Sequence, residues 1–303
     1  MSAMSGHAMV RTIRAAILAT VLIFVAGRAG AQITFPGASP ISAGNVTVLI
    51  KPETMDFTGG VASTVDKNII IYGASPNLAF ILQNNSLVSN SATVTEAGRS
   101  RQVVANGFGD TILESRYTIF QQDGPGSTFR IAPYAGIVMP TGMDDTNSAM
   151  PRGGQPGTGA WGTRDAITMS YQTLDWAAAA EAGYQANSTS AGYQFGNTMF
   201  ADAALRYRLW PLDLGAEVPF EVYGLLESNF TSAAANRNGG QINRNTGGQL
   251  LLVDPGVIYT TRTYSVTLMA FLPAFEQVHG NGSAYNYGFL AAFRYSLFTP
   301  HHW

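Results

Sequence analysis

Ionisable residues in this chain recur at every second position of several segments, opposite apolar side chains. That spacing suits the selection of solutes by charge better than the breaking of bonds. Glu114 and Arg116 interleave with Leu113, Ser115, Tyr117 and Ile119, and Arg130 and Tyr134 oppose Phe129, Ile131, Pro133, Ala135 and Ile137. Asp202, Arg206 and Arg208 oppose Ala201, Ala203, Leu205, Tyr207 and Leu209. Glu217, Glu221 and Glu227 oppose Val218, Phe220, Val222 and Leu226, while Asp254 opposes Leu251, Val253, Val257 and Tyr259. A period of two is that of a β-strand, whose successive side chains point to opposite faces. Arg206 and Arg208 lie one short turn from Glu217 and Glu221, so opposite charges can pair across an antiparallel ladder. Together with Glu181 and Arg294 these residues would make a mixed-charge interior. It can act as a constriction that filters solutes by size and charge, or as a salt-bridge network that fills a modest barrel.

Other chemistries have less to work with. Covalent catalysis needs a nucleophile and a base within hydrogen-bond reach. Beyond the leader the histidines are His279, His301 and His302, all in a loop or the tail. His279 with Asp254 or Ser283 is the best loop-edge site available, and a lone histidine beside glycines is ordinarily solvated, so no enzyme is expected; an outer-membrane lipid hydrolase is the remote alternative. Asp144 and Asp145 could hold a divalent ion, or their loop could fold inward as a gate. Two adjacent carboxylates fall well short of the ~6–8 oxygen ligands of a calcium site, which favours a plain hydrated loop. There is no cysteine, hence no disulfide framework or thiolate metal site. A net charge of −2 gives no sign of nucleic acid. No cofactor is indicated.

The elements that would position the charges are strands. They are expected at about Val46 to Phe57, Asp66 to Gly73, Asn77 to Ser89, Asp110 to Gln122, Thr128 to Met139, Arg164 to Leu174, Ala180 to Ser190, Thr198 to Leu209, Glu217 to Asn229, Gly248 to Tyr259, Arg262 to Phe271 and Tyr285 to Phe298. Short turns alternate with longer loops, the longest at about 90–109, 140–163 and 230–247. An even strand number with short periplasmic turns and long extracellular loops is the asymmetry of a bacterial outer-membrane barrel. Only 12% of residues are charged, against ~25% in ordinary soluble domains. The 33 glycines and 13 tyrosines suit tight turns and aromatic girdles. A soluble β-sandwich would also alternate, but it would turn its charged face outward.

In front of the strands, Arg11 and Arg14, an apolar stretch from Ala15 to Gly27 and the Ala29-Gly30-Ala31 site read as a cleavable export signal over residues 1–31. The apolar stretch is shorter than the ~20 residues a membrane-spanning helix needs.

Several motifs carry a family resemblance. Gly107-Phe108-Gly109-Asp110-Thr111 running into Arg116-Tyr117, Arg130-Ile131-Ala132-Pro133 leading to Met139-Pro140-Thr141-Gly142, and Gln155-Pro156-Gly157-Thr158-Gly159 resemble the outer-membrane transporters named after the meta-cleavage pathway of phenol degradation. Asp202 to Tyr207 and Asp254-Pro255-Gly256-Val257 to Pro273 extend the likeness, which spans roughly Ala74 to Phe298. The resemblance implies a barrel that passes small, often hydrophobic or aromatic compounds, with no catalytic motif to carry over. Such barrels usually end on an aromatic of the final strand; here Phe298 is followed by Pro300 and a terminal Trp303, and either aromatic could be the signal read by the barrel-assembly machinery.

The expectation is therefore an all-β, membrane-spanning, antiparallel up-and-down barrel of about twelve strands over residues 32–303, in the bacterial outer membrane. Its partners would be lipid, a small solute and the assembly machinery. A structural or adhesion barrel without transport stays open.

Overall fold

The computed structural model describes residues 34–35, 37–38, 41–96, 99–214, 218–280 and 282–297. The export signal, Glu217, Phe298 and Trp303 lie outside the described residues. Twelve staves form the wall: β1 (Val46–Phe57), β2 (Val61–Gly73), β3 (Leu78–Glu96), β4 (Thr111–Tyr117), β5 (Ser127–Met139), β6 (Gly162–Thr173), β7 (Trp176–Asn187), β8 (Thr198–Trp210), β9 (Glu221–Ala233), β10 (Gly248–Thr260), β11 (Tyr264–Val278) and β12 (Tyr285–Leu297). Each pairs antiparallel with the next. The ring closes where β1 meets β12, with Val46 opposite Leu297 and Thr54 opposite Phe289. Among the described residues no helix is long and apolar enough to cross a membrane, which says nothing about a crossing by strands.

Strand length and burial give the environment. Staves of 12 or 13 residues predominate. At ~3.4 Å per residue they run about 40 Å, and a tilt of ~40° reduces this to about the ~30 Å of a bilayer core. The molecule is also inside out by soluble standards. Leu205, Tyr207, Leu268 and Phe289 are about half exposed, whereas Lys51, Glu227 and Asp254 are 0% exposed. Folding would not expose such a band to water, because apolar area costs roughly 25 cal/mol per Å². The exterior is built for hydrocarbon.

Several boundaries differ from the sequence reading. Residues 99–107, expected within a loop, form a strand that doubles back on the end of β3, pairing Val88 with Gly107 and Glu96 with Arg99. The long connection between β5 and β6 covers one face of this hairpin, burying Met150 against Val103 and Ala105. Asp110 fastens the same connection: its carboxylate accepts from Gly142 N at 3.0 Å, Thr158 N at 2.9 Å and Thr158 Oγ1 at 2.5 Å. Gly142 and Gly157 meet there so closely that a Cβ on Gly157 would sit 2.5 Å from the Gly142 carbonyl carbon. β4 stops at Tyr117 and pairing resumes at Phe120–Gly124. β9 begins at Glu221, beyond Pro219, which cannot donate to a ladder. Residues 189–190, expected at the end of a wall strand, and 193–194, 237–238 and 241–242, expected in connections, pair into a four-stranded ribbon joining two connections. Tyr285 points inward although Tyr287 and Phe289, which follow it at alternate positions, are exposed. One extra residue, Asn286, bulges between the pairs Phe57–Tyr285 and Asp56–Tyr287 and turns the tyrosine onto Phe57, ring centroids 5.1 Å apart.

Candidate functional site

The alternation of the staves collects polar side chains in the lumen, and their order around the ring decides which ones meet. Arg164 on β6 is the hub. Its Nε lies 3.4 Å from Glu114 Oε1 on β4 and its Nη2 3.7 Å from Glu181 Oε1 on β7. Its guanidinium also lies 4.3 Å from the centroid of the Phe200 ring on β8. Both carboxylates have a further donor: Gln83 Nε2 to Glu114 Oε2 at 2.7 Å, and the Tyr134 hydroxyl to Glu181 Oε1 at 3.0 Å. A buried ion pair needs such additional bonds to offset desolvation.

Around the ring from Glu181 the wall turns acidic. Glu181 stands opposite Asp202, and Glu227 opposite Asp254, so β7 to β10 present a belt of carboxylates. Asn229 donates to Asp254 Oδ2. Towards the short-turn end, Arg208 pairs with Asp175 and lies 3.6 Å from Glu221, whose Oε1 accepts from the Tyr223 hydroxyl at 2.9 Å. Arg206 stacks 4.3 Å over the Tyr223 ring. On β1 and β2, Glu53 is shared by Lys51 at 3.5 Å and Lys67 at 3.3 Å. Arg130 lies 3.6 Å from Asp123.

Two fillings narrow the lumen. Tyr223, Leu225, Ile258, Met269, Phe271, Tyr285, Leu290 and Ala292 form a buried apolar cluster on the inner face of β9 to β12. The chain before β1 also lies inside the ring. Phe35 packs against Ala179 and Ala204, and Thr34 donates to Glu227 Oε2 from its N–H at 3.1 Å and from its hydroxyl. Arg116 donates to the Gly37 carbonyl oxygen. A cavity of about 750 Å³ remains beside this segment, along β1 to β4.

The structure brings Glu114, Arg116, Glu181, Arg206, Arg208, Glu227 and Asp254 into the interior as buried residues. Glu221 and Asp202 join them through their lumenal partners, and Arg130 and Arg294 line the cavity. Sequence reasoning missed Arg164, which it left beside the loop ending at Thr163, and the Lys51–Glu53–Lys67 group. Lys51 and Glu53 stand at alternate positions of β1, which was signal enough for that strand. Outside the barrel Asp144 is tied to Arg152 at 2.7 Å. Among the described residues no group of three metal-ligating side chains occurs. His279 is exposed and Asp254 is sealed in the lumen, so these two do not meet.

A closed antiparallel ring of twelve staves with a charged interior and an apolar exterior is an integral β-barrel of the bacterial outer membrane, in contact with its lipid. Within that class the sequence matches, over residues 44–286, the family described as "Putative MetA-pathway of phenol degradation", and the chain belongs to it. Its fold resembles that of an outer membrane channel from Pseudomonas putida F1, with a TM-score of 0.64 at 11% identity, covering 88% of this chain and 100% of that one. Weaker likenesses include CdiB from Escherichia coli, with a TM-score of 0.43 at 10% identity over 83% of this chain and 63% of that one. LpxR from Salmonella typhimurium also scores 0.43, at 8% identity over 83% of this chain and 100% of that one. No curated protein sequence matches the chain.

Proposed function

We propose that the protein is a passive outer-membrane channel for small molecules, including hydrophobic and aromatic ones. The observation that carries this reading is the lumen itself: a charged, hydrogen-bonded interior that still holds a cavity of about 750 Å³ beside the N-terminal segment. A barrel meant only as a scaffold has no need of such a space. The solved channel from Pseudomonas putida F1 supports the same class of function. Hydrophobic cargo is favoured by the aliphatic residues Leu49, Ile69, Ile71 and Ile81 on the cavity wall and by the family description. Residues 1–31 would be removed on export, and the assembly machinery would read a C-terminal aromatic.

In this reading the lumenal charges set selectivity, Arg206 and Arg208 above all, since both are cations on the lumen side of β8. The test is single-channel conductance of the refolded chain in planar bilayers. Discrete, salt-dependent steps are expected, and Arg206→Gln with Arg208→Gln should shift the reversal potential in a salt gradient towards cation preference. Unchanged selectivity would reduce the two arginines to scaffolding. Silence from folded protein would favour the second reading, a barrel stoppered by the apolar cluster of β9 to β12 and by Phe35.

A further inference from the structure

The cavity has an asymmetry that the charge network does not explain. Of the cations on its wall, Arg164 is held by Glu114 and Glu181, Lys67 by Glu53, Arg130 by Asp123, and Arg116 donates to the Gly37 carbonyl oxygen. The acid on the same wall, Asp110, is engaged by Gly142 and Thr158. Arg294 on β12 is different. Among the described residues no carboxylate pairs with it, and its Nε is buried without a hydrogen-bond partner. The charge that acts on it most strongly is another guanidinium, that of Arg206. Such a group, with no carboxylate beside it on this stretch of wall, attracts anions.

Next to Arg294 the wall is greasy. Arg294 stands opposite Leu49 on β1, Leu49 opposite Ile69 on β2, and Ile71 opposite Ile81 on β3, while Ile112 on β4 faces Gln83. These aliphatic side chains all line the cavity. With strands ~4.8 Å apart, the strip runs about 14 Å around the ring from β12 to β3. A volume of about 750 Å³ is within the range of small-molecule sites, roughly 300–1,000 Å³.

From this juxtaposition we propose that the cavity binds amphipathic monoanions, organic carboxylates with an aromatic or aliphatic body, with Arg294 holding the headgroup and Leu49, Ile69, Ile71 and Ile81 covering the body. The inference rests on the channel reading and names its solute class. Apolar area on the strip and on the ligand leaves water together. The carboxylate supplies the charge-assisted bonds that Arg294 lacks. A neutral solute of the same shape covers the strip but leaves the guanidinium as it was.

The test is calorimetric titration of the refolded chain in lipid nanodiscs with 4-phenylbutanoate and with its alcohol, 4-phenylbutan-1-ol, each corrected for empty nanodiscs. The acid should bind at least about tenfold more tightly, a difference of about 1.4 kcal/mol. Arg294→Gln should erase that preference and change the affinity of the alcohol less than about threefold; Arg294→Lys should restore part of it. Ile71→Asn should weaken both ligands. Heat-modifiable gel migration verifies that each variant is folded. Equal affinities in the wild type, a preference that survives Arg294→Gln, or no binding of either compound would overturn the inference. Wild-type conductance separates the two claims: current steps without acid preference sink only the ligand class, and acid binding by a silent barrel sinks the channel.

Discussion

Replacing Arg164 by Met removes the hub of the lumenal network while keeping an apolar side chain against Phe200. Two carboxylates, Glu114 and Glu181, with side chains 0% exposed, would then face each other's field without their shared cation. Breaking a fully buried pair typically costs about 3–5 kcal/mol. Arg164 is 23% exposed to the lumen, and Gln83 and Tyr134 go on donating to the two acids. Water and these bonds soften the loss to about 2–3 kcal/mol, to which the cation–π contact adds about 0.5–1 kcal/mol. The expected destabilisation is therefore about 3 kcal/mol. Urea unfolding in phospholipid vesicles, followed by the fluorescence of the four tryptophans, measures it. The midpoint should fall with the slope unchanged. Glu114→Gln should cost less in the Arg164→Met background than alone, with a coupling of about 1–2 kcal/mol. A loss under about 1 kcal/mol with no coupling would mean that the lumen solvates these groups as water does, and the network would then hold nothing together.

Phe35→Ala removes the ring that wedges the N-terminal segment against Ala179 and Ala204; single-channel conductance should rise, and an unchanged value would put the path elsewhere. Leu205→Arg places a charge near the middle of β8 on the outer face, where it should cost about 2–4 kcal/mol in the same urea assay. A cost near zero would mean that Leu205 does not face hydrocarbon.

The architecture was legible wherever charge marks a face. β4, β5, β8, β9 and β10 carry their acids and arginines on one face only, so phase, lumen and membrane could be read together. β2 shows where that reading stops. Its Asn68-Ile69-Ile70-Ile71-Tyr72 run is apolar on both faces, and nothing local tells that Ile69 and Ile71 line a cavity while Ile70 and Tyr72 are exposed outside. Arg164 was hidden because Asp165 follows it, so β6 carries a charge on each face and phase alone does not choose the lumen. The polar run Arg99 to Gln102 suggested solvent, and it is indeed exposed, yet its backbone completes a ladder with β3. The placement of Thr34 and Phe35 inside the ring depends on partners on β7, β8 and β9, more than a hundred residues away, and no periodicity encodes it.

The seam between β1 and β12 has a consequence of its own. Because Val46 lies against Leu297, the two ends of the wall are neighbours, and every stave has a partner on each side. A circle has no outermost member from which it can fray. Opening it anywhere bares two rows of amide and carbonyl groups to a solvent that cannot bond them. Cohesion is thus a property of the completed circuit, and the first stave to leave the ribosome gains its full value only when the last one returns to it.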